Sequence, residues 1–99
     1  MHSFEVEAFG LDAELVDAFY EELERLAGEL QAGLDTSDKE AIRLAAHSIK
    51  GMCGTMGLPE ISVLAQEIEI TLREGILDRS AQLSTALIFW ARDFLSPAE

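Results

Sequence analysis

A helix is predicted for the stretch SDKEAIRLAAHSIKGMCGTM, residues 37–56. Successive side chains of an α-helix step by about 100°, and with that step the apolar residues of the stretch share one face. They are Ile42, Ala45, Ala46, Ile49, Met52, Cys53 and Met56. Ser37 to Glu40 have the pattern of a capping box, which would start the helix, and Gly57 is placed to end it.

His47 is expected on the solvent side of this helix, about 160° from the centre of the apolar face. Arg43, Lys50, Gly51 and Gly54 follow the i−4, i+3, i+4 and i+7 spacings and share its stripe. A glycine inside a helix costs about 1 kcal/mol relative to alanine, so two of them on an outward face need a reason outside the fold. Close approach by a second molecule is such a reason.

Three further helices are predicted from apolar residues that recur at spacings of three and four. The first, at about residues 11–33, carries Leu11, Leu15, Phe19, Leu23, Leu26, Leu30 and Leu34. The third opens at Pro59 and carries Ile61, Leu64, Ala65, Ile68 and Leu72. The fourth is capped by Asp78 or Ser80, carries Leu83, Leu87, Trp90 and Phe94, and stops at Ser96-Pro97.

Four helices joined by short connections, with no alternating strand pattern, predict an all-α fold. The expected architecture is an antiparallel up-down-up-down four-helix bundle. Phe4, Val6 and Phe9 predict a short additional turn or helix in residues 1–10 that caps the bundle. The length of 99 residues predicts a single domain over residues 1–99, and one core that uses all four stripes favours a monomer.

The net charge of −12, from 19 acidic and 7 basic residues, opposes binding to nucleic acid or to an anionic membrane surface. No apolar run reaches the roughly 18 residues of a membrane span, and the N-terminus lacks the features of a signal peptide. We therefore expect a cytoplasmic protein. Cys53 is the single cysteine, which excludes an internal disulfide and predicts a buried small hydrophobic residue.

The charge balance inverts around His47. Arg43 and Lys50 are the only formally charged residues between Glu40 and Glu60, and both belong to the exposed stripe. On an otherwise acidic chain they predict a small positive spot suited to one phosphoryl group.

An imidazole nitrogen accepts a phosphoryl group when the ring is neutral, exposed and held in one tautomer. Glu67 and Glu69 of the third helix are the candidates to accept a hydrogen bond from the other ring nitrogen, and Lys50 could neutralise phosphoryl oxygens. The sequence has no P-loop, no DxD-like magnesium cluster near the histidine and no serine or cysteine nucleophile placed with it. These observations predict a phosphoryl carrier, not an enzyme, without a cofactor or metal of its own.

The run AAHSIKG, residues 45–51, followed by Gly54, Thr55, Gly57, Leu64 and EIE at residues 67–69, resembles the histidine phosphotransfer (HPt) domain family. It looks especially like the first domain of chemotaxis-type histidine kinases. The resemblance implies that His47 is the phosphorylated residue, Lys50 the lysine beside the phosphate, Gly51 the clearance glycine and Glu69 the residue bonded to the ring.

The resemblance also implies the partners of the chain. Members of the family exchange phosphate with an aspartate of a response-regulator receiver domain, which brings Mg²⁺, and they neither bind nor hydrolyse nucleotide themselves. A histidine kinase or hybrid kinase is the other expected partner. The expected docking surface comprises Arg43, Leu44, Gly51, Gly54 and Leu58, and Leu58 stands where the family often has a small or aromatic residue.

Several alternatives stay open. We favour a stand-alone carrier over the phospho-acceptor domain of a longer histidine kinase. A helical adaptor that binds or sequesters a receiver without transfer is a second interpretation. A third makes His47 a general base or a metal ligand of an enzyme, which would need further ligating or acidic side chains at the same place.

Overall fold

The computed structural model describes residues 13–96, which form four α-helices. These are α1 (Ala13–Thr36), α2 (Lys39–Thr55), α3 (Pro59–Arg73) and α4 (Leu77–Leu95). Each helix packs against the next one in the chain, and α4 also packs against α1, which closes the bundle. The predicted all-α four-helix bundle is confirmed. The additional element expected in residues 1–10 lies outside the described residues.

The core is built from the predicted apolar stripes. Its fully enclosed side chains come from all four helices and include Leu23, Leu30, Ile49, Ile68 and Leu87. Met52, Ile61, Leu64, Leu72 and Trp90 are half-buried and pack against the edge of this core. Cys53 is completely buried, as expected, and burial raises the pKa of its thiol to about 12.

Leu15 was expected in the core, and that prediction is wrong because the side chain is 46% exposed. Val16, the next residue along, is buried instead. Leu15 and Val16 both lie near the helix face that carries Phe19, and Val16 points more directly at the other helices.

The connection between α1 and α2 differs from the expected capping box. Helix α1 continues to Thr36, and Ser37 adopts the left-handed conformation, with φ of +54°. The backbone N–H of Asp38 donates to the carbonyl of Gly33 at 2.8 Å, which completes a Schellman turn. Asp38, not Ser37, then caps α2, because its side chain accepts from the backbone N–H of Ala41 at 3.1 Å. The capping box was wrong because Ser37 is used to end the preceding helix.

The next two helices end in the same type of turn. Gly57 and Gly75 have φ of +78° and +75°, which glycine adopts without strain. Gly57 ends α2 as predicted, and Pro59 occupies the first turn of α3. The predicted cap of α4 at Asp78 or Ser80 is wrong, because the helix already begins at Leu77 with Ile76 as a cap that uses no side-chain hydrogen bond.

Two features are absent from the described part of the chain. None of its helices combines the length and the apolar character needed to cross a bilayer. No group of three or more His, Cys, Asp or Glu side chains between residues 13 and 96 is arranged to hold a metal ion.

Candidate functional site

His47 lies on the outer face of α2, with its side chain 59% exposed. The opposite face of the helix is fixed by Ala46 and Ile49, which are completely buried. Nδ1 of the ring lies 3.2 Å from Oε2 of Glu69 on α3. Among residues 13–96, no hydrogen-bond partner lies at Nε2. The histidine is therefore held at one ring nitrogen and accessible at the other.

The contact with Glu69 selects a tautomer. An ionised carboxylate can only accept a hydrogen bond, so in the neutral ring Nδ1 carries the proton. The lone pair then resides on Nε2, the nitrogen that faces away from Glu69. The ring is thereby arranged as a nucleophile at Nε2.

Glu69 also contacts Lys50. Its side chain is 18% exposed, and Oε1 lies 3.1 Å from Nζ of Lys50. The arrangement is that of an ion pair and not of an aligned hydrogen bond, so Oε1 is enclosed without an ordinary donor. One carboxylate of α3 thus holds two side chains of α2, the histidine through one oxygen and the lysine through the other.

The positive spot expected around His47 is not present, because both of its cations are paired. Nε of Arg43 donates to Oε2 of Glu40 at 3.0 Å, and Nη2 lies 2.5 Å from Oε1. This pairing lowers the pKa of Glu40 and raises the pKa of Arg43. With Lys50 paired to Glu69, two cations and two carboxylates cancel. The separation of three residues between Glu40 and Arg43 was visible in the sequence and could have shown this pairing.

The two glycines of the stripe differ in their surroundings. A Cβ added to Gly51 would meet nothing within 4 Å, so nothing between residues 13 and 96 requires a glycine there. A Cβ added to Gly54 would lie 3.5 Å from Oγ of Ser62, which is an ordinary contact. Ser62 donates its hydroxyl to the carbonyl of Lys50 at 3.0 Å and ties the first turn of α3 to α2 beneath the site. Sequence reasoning missed Ser62, because no local pattern indicates a bond between helices.

The two leucines of the expected docking surface differ in their exposure. Leu44 is 52% exposed, whereas Leu58 is half-buried and packs against the core. A shallow groove beside Gly51 is lined by exposed Leu15 and half-buried Met52, and so joins α1 to α2. The accessible surface beside Gly51 therefore extends onto α1.

Comparison with known families identifies the chain. The sequence model of the Hpt domain matches residues 14–92, and the chain belongs to the Hpt domain family. The family predicted from the sequence is confirmed. Hpt domains are phosphocarrier modules of phosphorelay signalling that interact with histidine kinases and receiver domains. Comparisons with curated proteins and with solved structures gave no match.

Proposed function

We propose that this chain accepts a phosphoryl group on Nε2 of His47 and exchanges it with the aspartate of a response-regulator receiver domain. The observation that supports this most strongly is the exposed ring whose Nδ1 lies 3.2 Å from Glu69. That contact keeps the proton on Nδ1 and leaves a lone pair on Nε2, where a partner can reach it.

The proposed transfer from a receiver is a displacement at phosphorus. The Nε2 lone pair forms the P–N bond while the P–O bond to the aspartyl group breaks, and the electron pair leaves with the carboxylate oxygen. The proton on Nδ1 stays in place, so the ring becomes an imidazolium beside the carboxylate of Glu69. The reverse step returns the phosphoryl group to the aspartate. The receiver domain would supply the aspartate and Mg²⁺.

Lys50 and the glycines have roles in the same proposal. Lys50 lies one turn from His47 and would neutralise phosphoryl oxygens, because a charged ammonium group binds them strongly. Gly51 leaves open space next to the acceptor, and in-line transfer requires near-contact between the attacking and leaving atoms. The docked partner would contact Arg43, Leu44 and Gly54, and Leu58 would lie at the edge of this contact surface.

We also propose that residues 1–99 form a single phosphocarrier domain, which acts as a cytoplasmic monomer and has no catalytic machinery of its own. Its partners would be a receiver domain and a histidine kinase or hybrid kinase. The support for these partners is membership of the Hpt family together with the exposed histidine.

The test is incubation with a receiver domain that carries a labelled aspartyl phosphate. Wild type should acquire acid-labile label and His47→Gln should acquire none. Equal label on both proteins would contradict the proposal. Absence of label from both, with unchanged affinity of His47→Gln for the receiver, would instead support an adaptor that binds without transfer.

A further inference from the structure

Two cations flank His47 on α2, Arg43 one turn before it and Lys50 one turn after it. Both are paired with a carboxylate, but the two pairs differ. The partner of Lys50 is Glu69, which is 18% exposed and also holds the histidine ring. The partner of Arg43 is Glu40, which is 64% exposed. The Glu40 pair can therefore separate without disturbing His47.

Arg43 is placed to reach the ring of His47. Residues four apart on a helix are surface neighbours, with Cβ atoms about 5–6 Å apart, which is within reach of an arginine side chain. Glu40 is the main cause of the raised pKa of Arg43, and Glu69 of α3 adds to it. The guanidinium thus lies in the field of the same carboxylate that contacts the histidine. Its side chain is 44% exposed and able to move.

A phosphoryl group would compete effectively with Glu40 for this guanidinium. An exposed ion pair between neighbours on one helix contributes little to stability, so its separation is easy. A phosphoryl group carries up to two negative charges and offers three oxygens, to which a guanidinium can donate two hydrogen bonds at once. The exchange would also relieve the repulsion between Glu40 and the new charge.

We propose that Arg43 exchanges Glu40 for the phosphoryl group when His47 is phosphorylated, and that it thereby becomes a second phosphate ligand opposite Lys50. This inference rests on the proposed role of His47. Glu40 is then a competitor that holds Arg43 while the histidine is free. Two paired cations of the resting domain would convert into a clamp around the phosphoryl group.

The first test follows Arg43 by NMR during labelling with phosphoramidate. In that reaction the Nε2 lone pair of His47 forms a P–N bond, the P–N bond of the donor breaks, and ammonia leaves. The Nε–H signal of Arg43 should shift as phosphohistidine forms. Arg92 of α4 is an internal control, because it lines a groove between α4 and α1 that includes no residue of α2, and its signal should stay in place.

The outcomes separate the two proposals. Phosphohistidine at His47 with an unmoved Arg43 signal would overturn the exchange and leave the role of His47 intact. A domain that takes no label at His47 from either phosphoramidate or a phosphorylated receiver would overturn both.

The second test is a double-mutant cycle on the rate of labelling by phosphoramidate. Glu40→Gln frees Arg43 and should raise the rate about two- to fivefold, while Arg43→Gln should lower it by a similar factor, as expected for one exposed charge. In the Arg43→Gln background, Glu40→Gln should give no gain. A gain of equal size in both backgrounds would show general repulsion by Glu40 and overturn the exchange. Glu24→Gln, at an exposed position of α1 in the groove with Arg92, is the matched control and should leave the rate unchanged.

Discussion

Nδ1 of His47 and Oε2 of Glu69 lie 3.2 Å apart, although the two residues belong to different helices. The turn at Gly57 and the first-turn Pro59 bring α3 back along α2. The bond from Ser62 to the carbonyl of Lys50 fixes how far the two helices are displaced along each other. The proton of the imidazole is therefore held by the packing of the bundle and not by a neighbour on the same helix.

Replacement of Glu69 should impair phosphoryl transfer more than binding. Glu69→Ala removes the acceptor of the Nδ1 proton and the partner of Lys50, and we expect the transfer rate to fall about tenfold, which corresponds to about 1.4 kcal/mol. Glu69→Gln keeps an acceptor and should have a smaller effect. Long-range ¹H–¹⁵N NMR should show that the ring loses its single tautomer in Glu69→Ala. Glu67→Gln, at an exposed position of the same helix, is the control, and an equal loss in that variant would contradict the assignment.

Replacement of Gly51 should stabilise the fold and yet slow phosphoryl transfer. Gly51→Ala adds a methyl group in open space and improves helix propensity, so the free energy of unfolding should rise by about 0.5–1 kcal/mol. Transfer from a receiver should nevertheless slow, because the methyl group occupies the approach to His47. Gly28→Ala is the matched control, since Gly28 is also exposed with nothing within 4 Å, and it should stabilise α1 without changing the transfer rate. Identical transfer rates in the two variants would refute a role for Gly51 in docking.

Replacement of Gly33 should have the opposite effect on stability. A Cβ at this position would lie 3.0 Å from Cγ1 and 3.2 Å from the backbone nitrogen of Ile42, in the first turn of α2. We expect Gly33→Ala to lower the free energy of unfolding by about 1–3 kcal/mol, as overpacking commonly does. Urea denaturation measures this change, and a variant as stable as Gly28→Ala would show that the two helices can move apart without penalty.

The Cys53 thiol should be unreactive in the folded domain. Burial raises its pKa from 9.0 to about 12, so at pH 8 the thiolate is far scarcer than in the unfolded chain. Alkylation by iodoacetamide at pH 8 should be slow until urea unfolds the domain. Because the folded pKa is the higher one, the thiol stabilises the fold below pH 9, and this contribution is lost as the pH rises from 9 towards 12. Cys53→Ala should show a flatter decline of stability over that range, and a slope equal to that of wild type would contradict the shift.

The fold could be predicted from the sequence because each helix carries a clear apolar period and because Gly57 and Pro59 mark one connection unambiguously. The errors lie at the ends of helices. Ser37 and Asp38 are both good caps, and the choice between them depends on where α1 ends. Helix α1 ends where the carbonyls of Gly33 and Leu34 accept hydrogen bonds from the backbone N–H groups of Asp38 and Ser37. The apolar period of the sequence does not show where these bonds form.

The candidate site shows the same division between local and tertiary information. The exposed stripe of His47, Lys50 and Gly51 follows from the geometry of one helix. The periodicity of α3 left both Glu67 and Glu69 as partners of the ring, and the family resemblance favoured Glu69. The neutralisation of Lys50 could not be predicted, because it depends on the displacement between two helices that Ser62 fixes.

The most direct test of the account is identification of the phosphorylated atom. The chain has two histidines, His2 and His47, and each ring has two nitrogens. After labelling by a phosphorylated receiver, ³¹P and ¹⁵N NMR of the ¹⁵N-histidine protein should show one phosphorylated nitrogen, Nε2 of His47, with a proton retained on Nδ1. Phosphate on Nδ1 of His47, or on His2, would contradict the arrangement of acceptor, carboxylate and lysine described for this domain.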